Sequence, residues 1–126
     1  LEAPPVPAGK YAGAESCRGC HEAIFDRWSK TAHASAFASL ADTDDWENPK
    51  CVGCHMTGAT DKHWQNPTAL DPERLNVQCE ECHGPGEAHA AAPGKIEVDP
   101  RRCRTCHDPE NSPGFDYAKY VVHGVH

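Results

Sequence analysis

Every cysteine of this 126-residue chain lies in one of four copies of the pattern Cys-x-x-Cys-His. The copies are Cys17–His21, Cys51–His55, Cys79–His83 and Cys103–His107. In a helical turn, residues i, i+3 and i+4 share a face, so two thiols and one imidazole can address the same group. This pattern is the attachment signature of c-type haem, in which the thiols form thioethers with the porphyrin vinyl groups and the histidine ligates iron.

The sequence therefore predicts four covalently bound haems. The expected thioether positions are Cys17, Cys20, Cys51, Cys54, Cys79, Cys82, Cys103 and Cys106. The expected proximal iron ligands are His21, His55, His83 and His107.

Two other readings of the cysteine pairs need no haem. Four pairs could build two Cys₄ zinc sites, or they could form redox disulfides in an exported protein. Neither alternative requires the histidine that follows each pair. With 9 histidines in 126 residues, chance would place one after all four pairs with a probability on the order of 10⁻⁵. The pattern favours haem.

The composition indicates a core built around these cofactors. Only 38% of the residues are hydrophobic, and Phe, Trp and Tyr occur three times each, so a core of side chains alone would be thin. We expect residues 1–126 to form one tetrahaem domain. Because such a domain has a radius of gyration of roughly 14 Å, its four haems must lie close enough to exchange electrons.

The chain pattern predicts a mainly α-helical fold with extensive irregular loops. Strand signals are nearly absent, whereas apolar residues recur at three- and four-residue steps between Glu22 and Ala41, which predicts the longest helix there. Another short helix is expected over Tyr117–Val122. Prolines and glycines predict an extended arm over residues 1–14, and polar or proline-containing stretches predict loops over 42–50 and 57–76.

Five histidines remain as candidate distal ligands for four irons. His33 lies on or beside the apolar stripe of the predicted long helix, and His89 follows a Gly-Pro-Gly turn that reverses the chain after the third motif. His123 and His126 are three residues apart and share one face if Tyr117–His126 is helical, so we expect only one of them to ligate, and we favour His126. His63 lies in a polar segment, where ligation and a solvated loop position are both open.

The single methionine, Met56, directly follows a motif histidine, which makes a Met/His haem a minor alternative at one site. Ligation by histidine on both faces implies low reduction potentials.

Charged residues beside the motifs have two readings. Arg101, Arg102 and Arg104 could pair with haem propionates, and Glu80 and Glu81 could lower the potential of the third haem. The alternative for each is an ordinary solvated surface position.

The overall charge limits the partners. A formal charge of −7 argues against nucleic acid and favours redox proteins with basic docking surfaces. No run of eighteen apolar residues predicts a membrane span, and no cleavable signal sequence is present. A chain that starts at Leu1 reads as already processed, so we expect an exported protein of the periplasm or the extracellular space.

Longer pieces around the motifs resemble a known family. They are the first motif with Trp28-x-x-Thr31-Ala32-His33-Ala34, the second with Met56-Thr57-Gly58, the third with Gly84-Pro85-Gly86, and the fourth with Phe115-Asp116-Tyr117 and a terminal histidine. In this respect the chain resembles the tetrahaem cytochromes whose best-known member accepts electrons from hydroxylamine oxidoreductase in nitrifying bacteria. The resemblance implies that His33 and the terminal histidine are distal ligands, and that the haems form parallel stacked pairs joined by a more perpendicular contact.

The primary hypothesis is an electron carrier that turns over no substrate. The resemblance also raises two alternatives. In that family's best-known member the second haem lacks a distal ligand and can bind nitric oxide, which suggests a small nitrogen-oxide reductase with one five-coordinate haem. Similar short tetrahaem chains form extracellular conducting filaments, so both a monomer and a haem-stacked oligomer remain open.

We predict that the haem-free chain is largely unfolded, because its residues alone supply too little apolar core. Far-UV circular dichroism of the haem-free polypeptide should show little helix and no cooperative melting. A folded haem-free chain with a cooperative transition would contradict this prediction.

Overall fold

The fold is mainly helical and irregular, as the sequence predicts. The computed structural model describes residues 9–58 and 72–126. Within these ranges there are seven short α-helices and no β-strand beyond an isolated bridge between Met56 and Leu75. The α-helices are α1 (Ala14–Arg18), α2 (Glu22–Trp28), α3 (Ala38–Ala41), α4 (Pro49–His55), α5 (Cys79–His83), α6 (Glu87–Ala91) and α7 (Tyr117–Gly124). The 3₁₀ segments are Ala32–Ser35, Asp44–Glu47, Pro72–Arg74 and Pro100–Thr105.

The prediction of one long helix from Glu22 to Ala41 is wrong. The chain instead forms α2, a 3₁₀ turn at Ala32–Ser35 and α3, and Thr31 has extended backbone angles between them. Long-range contacts break the helix. The Trp28 indole donates to the Val77 carbonyl at 2.9 Å, and Val77 in turn donates its backbone N–H to the His33 carbonyl at 3.0 Å.

The predicted loop over residues 42–50 is also corrected. It contains the 3₁₀ turn Asp44–Glu47 and the first residues of α4. Asn48 caps α4, because its side-chain oxygen accepts the Lys50 N–H at 3.0 Å, and Pro49 occupies the first helical position, which suits its fixed φ. Of the predicted loop over 57–76, the described residues form one 3₁₀ turn at Pro72–Arg74.

The C-terminal helix is confirmed and extends two residues past its predicted end, to Gly124. With eight residues it is the longest helix in the described part of the chain. The side chain of Asp116 caps its N-terminus by accepting the Lys119 N–H. None of the helices within 9–58 and 72–126 combines the length and the apolar character needed to cross a bilayer.

The buried apolar core is small. Among the described residues it comprises Ala14, Leu40, Val52 and Met56, of which the last three form one cluster between α3 and α4. Met56 is only 1% exposed and packs with Leu40 and Val52. Its side chain therefore contributes to this apolar cluster.

Buried polar side chains connect the remaining segments. The Glu80 carboxylate, only 2% exposed, accepts backbone N–H groups from Ala12 at 2.8 Å, Gly13 at 2.7 Å and Gly86 at 2.7 Å. Gln78 accepts the Ala14 N–H at 3.0 Å. Residues 9–13 of the predicted arm are thus docked on α5, and α1 begins at Ala14; residues 1–8 lie outside the described part of the chain.

We predict that Glu80→Gln destabilises the haem-loaded protein by about 2 to 3 kcal/mol, because hydrogen bonds to a charged acceptor are stronger than those to a neutral one. Denaturant titration should show a lower midpoint with an unchanged slope. The matched control is Glu110→Gln at an exposed position, which should stay within about 0.5 kcal/mol of the wild type. Equal midpoints for the two variants would show that the Glu80 carboxylate does not hold these segments together.

Candidate haem-binding site

Each Cys-x-x-Cys-His motif forms a single helical turn. In the first motif, the His21 N–H donates to the Cys17 carbonyl at 2.9 Å, and in the fourth, the His107 N–H donates to the Cys103 carbonyl at 2.8 Å. The second and third motifs lie within α4 and α5. This turn brings the thiols and the imidazole of a motif onto one side of the backbone, as covalent haem attachment requires.

Three of the motif histidines lie opposite a second histidine. The ring pairs are His21 with His89 (centroids 6.4 Å apart, planes at 17°), His83 with His126 (6.4 Å, 16°) and His107 with His33 (6.1 Å, 62°). A metal–imidazole bond of about 2.0 Å puts each ring centroid roughly 3.1 Å from the metal, so two trans ligands have centroids about 6.2 Å apart. The observed spacings fit an iron held between the rings.

The protonation of these rings also suits metal binding. Burial lowers the pKa of His33, His83 and His107, and at His83 the nearby His126, His21 and His89 lower it further. A lowered pKa favours the neutral imidazole, which is the form that ligates a metal.

Two motif histidines use one ring nitrogen for a hydrogen bond. His107 Nδ1 lies 2.9 Å from Ser112 Oγ, and His55 Nδ1 lies 2.6 Å from the Ala36 carbonyl oxygen. Such partners orient a ligating imidazole and leave its other nitrogen available for the metal.

The second motif has no partner ring within the described residues. His55 is oriented by Ala36 and by Ser39 Oγ, which lies 3.2 Å from Nδ1. His63, the candidate of the sequence analysis nearest to this motif in the chain, lies outside the described residues. Of the two C-terminal candidates, His126 faces the motif histidine His83, whereas His123 has no ring pair among the described residues.

Different motifs lie close together. Helix α1, which contains Cys17, packs on α5, which contains Cys79, and burial together with the nearby Cys79 thiol raises the pKa of Cys17 to about 11. Cys54 and Cys106 line one cavity, and the Cys54 thiol together with burial raises the pKa of Cys106 far above its usual range. The first motif therefore lies beside the third, and the second beside the fourth.

The two motif pairs also meet. Helix α5, which contains Cys82, packs on the Pro100–Thr105 segment, which contains Cys103. Burial, together with the nearby Cys103 thiol and Glu81 carboxylate, raises the pKa of the Cys82 thiol to about 11. The third motif therefore lies beside both the first and the fourth.

A cavity of about 670 Å³ lies between the second and fourth motifs. Its lining includes the thiols of Cys51, Cys54, Cys103 and Cys106 and the imidazoles of His55 and His107. The volume falls within the range of small-molecule and cofactor sites. The attachment groups of both motifs therefore face a space suited to a large cofactor.

No disulfide joins any of the eight cysteines, all of which lie in the described residues. Within the described ranges, no three His, Cys, Asp or Glu side chains are arranged to hold a metal ion by themselves.

Burial excludes the solvated-surface reading for three of the charged residues beside the motifs. Glu80, Glu81 and Arg102 are 2%, 6% and 9% exposed, so the solvated-surface reading is wrong for them. Arg101 is exposed and pairs with Asp99 at 2.6 Å, while the Arg104 guanidinium lies 4.9 Å from the centroid of the Phe115 ring.

Sequence reasoning missed the surroundings of His107. Phe115 stacks on this ring at 4.7 Å, Tyr120 meets it edge-on at 5.6 Å, and Ser112 bonds its Nδ1. The only local signal is the presence of three aromatic residues, Phe115, Tyr117 and Tyr120, within fourteen positions of the motif, which alone does not reveal a contact.

Comparison with known proteins follows this geometry. The model of the family described as "Cytochrome c554 and c-prime" matches residues 16–84, more than half of the chain. The chain belongs to this family. As a c-type cytochrome it carries covalently bound haem c.

One relative extends the comparison both in sequence and in structure. Cytochrome c-554 of Nitrosomonas europaea is 33% identical over 91 residues, which cover 60% of this chain and 39% of that protein's length. The solved structure of the reduced state of cytochrome c554 from Nitrosomonas europaea matches with a TM-score of 0.73 and 23% identity, covering 95% of this chain and 86% of that one. At this identity the structural likeness establishes a shared fold.

Proposed function

We propose that residues 1–126 form a tetrahaem electron carrier with one haem c at each motif and mainly bis-histidine ligation. The observation that carries the proposal is the pairing of three motif histidines with second histidines at 6.1–6.4 Å. Each bound haem supplies one-electron oxidation and reduction of its iron, so the protein itself needs no catalytic residue.

Different residues would hold each haem at its vinyl groups and at the two faces of its iron. In this assignment each cysteine pair forms two thioethers, and the adjacent histidine is the proximal ligand. His89 is the distal ligand at the first motif, His126 at the third and His33 at the fourth. At the second motif we assign the distal position to His63 on its proximity in sequence.

Contact between motifs supports electron exchange within the molecule. Helix α1 packs on α5, α5 packs on the Pro100–Thr105 segment, and Cys54 and Cys106 line the same cavity. Covalent links at these motifs would keep neighbouring haems close, which favours stacked pairs joined by a more perpendicular contact. The chain's role in transfer is to fix these spacings and to orient the ligating imidazoles.

The ligand type suggests the range of reduction potentials, and the net charge suggests the kind of partner. Bis-histidine ligation favours lower potentials than Met/His ligation, and Met56 is buried in the apolar cluster. A net charge of −7 favours redox partners with basic docking surfaces. We place this activity in the periplasm or the extracellular space, on the basis of covalent haem attachment and the family.

We predict that the purified protein carries four haems and accepts four electrons. Its intact mass should exceed that of the polypeptide by four haem masses, and a reductive titration followed at the reduced visible band should consume four electrons per chain. A mass equal to the bare polypeptide, or fewer than four electrons, would contradict the tetrahaem assignment.

The ligand assignment predicts that His89→Ala converts one haem from low-spin to high-spin, because the iron at the first motif loses its sixth ligand. Electron paramagnetic resonance of the oxidised protein should lose one low-spin ferric signal and gain one high-spin signal. His123→Ala is the matched control and should leave the spectrum unchanged. An unchanged spectrum in His89→Ala would remove His89 from the ligand set.

A second candidate function rests on His55. This histidine has no ring partner among the described residues and faces the cavity, an arrangement that favours an open iron and a small nitrogen-oxide reductase. Electron paramagnetic resonance of the wild-type and His63→Ala proteins distinguishes the reductase from the carrier. A high-spin signal already present in the wild type, together with sustained turnover of a nitrogen oxide, would favour the reductase; a high-spin signal created only by His63→Ala would favour the carrier.

A further inference from the structure

Arg102 is a buried cation at the cavity between the second and fourth motifs. It lies in the 3₁₀ segment Pro100–Thr105, directly before Cys103, and it is only 9% exposed. Both Arg102 and Glu81 line the cavity. An arginine guanidinium stays protonated in proteins, so its charge is retained in this buried position.

The contacts of Arg102 leave part of its hydrogen-bonding capacity unused. One terminal N–H donates to the backbone carbonyl of Glu81 at 3.1 Å. The Nε atom is buried and has no hydrogen-bond partner among the described residues. A buried charged donor without a partner is strongly unfavourable, so this site calls for an anion.

No carboxylate in the described part of the chain forms an ion pair with Arg102. The contrast with the preceding residue is sharp, since Arg101 is exposed and has Asp99 at 2.6 Å. The Glu81 carboxylate accepts the Gly58 N–H at 2.7 Å, and it adds negative charge to the same buried region.

We propose that Arg102 binds a propionate carboxylate of a haem held in this cavity, with Nε–H as one of the donors. The inference rests on the proposed function, because it needs a haem at these motifs. Haem c is attached through its vinyl groups, which leaves both propionates as carboxylates. The planar guanidinium matches a carboxylate through two parallel hydrogen bonds. Arg102 thereby offsets the negative charge of the propionate and of Glu81.

This role has a redox consequence. A fixed positive charge near a haem favours the ferrous state, because reduction removes one positive charge from the iron. Loss of the Arg102 charge should therefore lower the midpoint potential of one haem and leave haem attachment intact.

The experiment compares Arg102→Gln and Arg102→Lys with the matched control Arg101→Gln, all as haem-loaded proteins. Haem content is measured first, by intact mass. Spectroelectrochemistry then gives the midpoint potentials, and resonance Raman spectroscopy follows the propionate bending modes, which respond to hydrogen bonding of the carboxylate.

The expected result for Arg102→Gln is a shift of one propionate mode and a lower midpoint potential for one haem. The equilibrium constant for one-electron reduction of that haem should fall about tenfold, which lowers its potential by about 59 mV. Arg102→Lys should retain most of the potential and still shift the propionate mode, because it keeps the charge but lacks the planar fork. Arg101→Gln should change neither quantity.

Unchanged potentials and propionate modes in Arg102→Gln at full haem content would overturn the inference. If that variant yields no haem-loaded protein, an unshifted propionate mode in Arg102→Lys would overturn it as well. A wild-type protein without haem would instead refute the proposed function.

Discussion

One helical turn, closed by a backbone bond from the histidine N–H to the carbonyl of the first cysteine, determines how each motif can act. The turn brings two thiols and an imidazole to the same side of the chain, and four such turns occupy much of the regular structure. Because the chain must leave each turn to reach the next, its helices stay short. The described residues accordingly contain α-helices of four to eight residues joined by turns.

Buried polar groups compensate for the small apolar core. With Leu40, Val52 and Met56 as its only apolar cluster, the described part of the chain cannot rely on hydrophobic packing alone. Glu80 and Gln78 connect the N-terminal segment to α5 through backbone N–H groups. The price of burying a carboxylate is offset by three short hydrogen bonds, so one side chain joins three segments.

The sequence predicted the features that depend on local pattern. The mainly helical fold, the C-terminal helix and the cofactor class follow from residue spacing and composition, and they are confirmed. The prediction of a long helix over Glu22–Ala41 is wrong because Trp28 and His33 form hydrogen bonds with Val77, which lies more than forty positions away in the sequence. Local periodicity contains no information on such contacts. For the same reason the burial of Glu80 and Arg102 was not evident, since a charged residue looks the same in a sequence whether it faces water or a cavity.

The spatial order of the motifs differs from their order along the chain. The first and second motifs are neighbours in sequence, yet the first packs on the third, and the second shares a cavity with the fourth. The paired histidines cross the chain in the same way, since His89 faces His21 and His33 faces His107. A substitution in one half of the polypeptide can therefore alter a ring pair whose motif histidine lies in the other half.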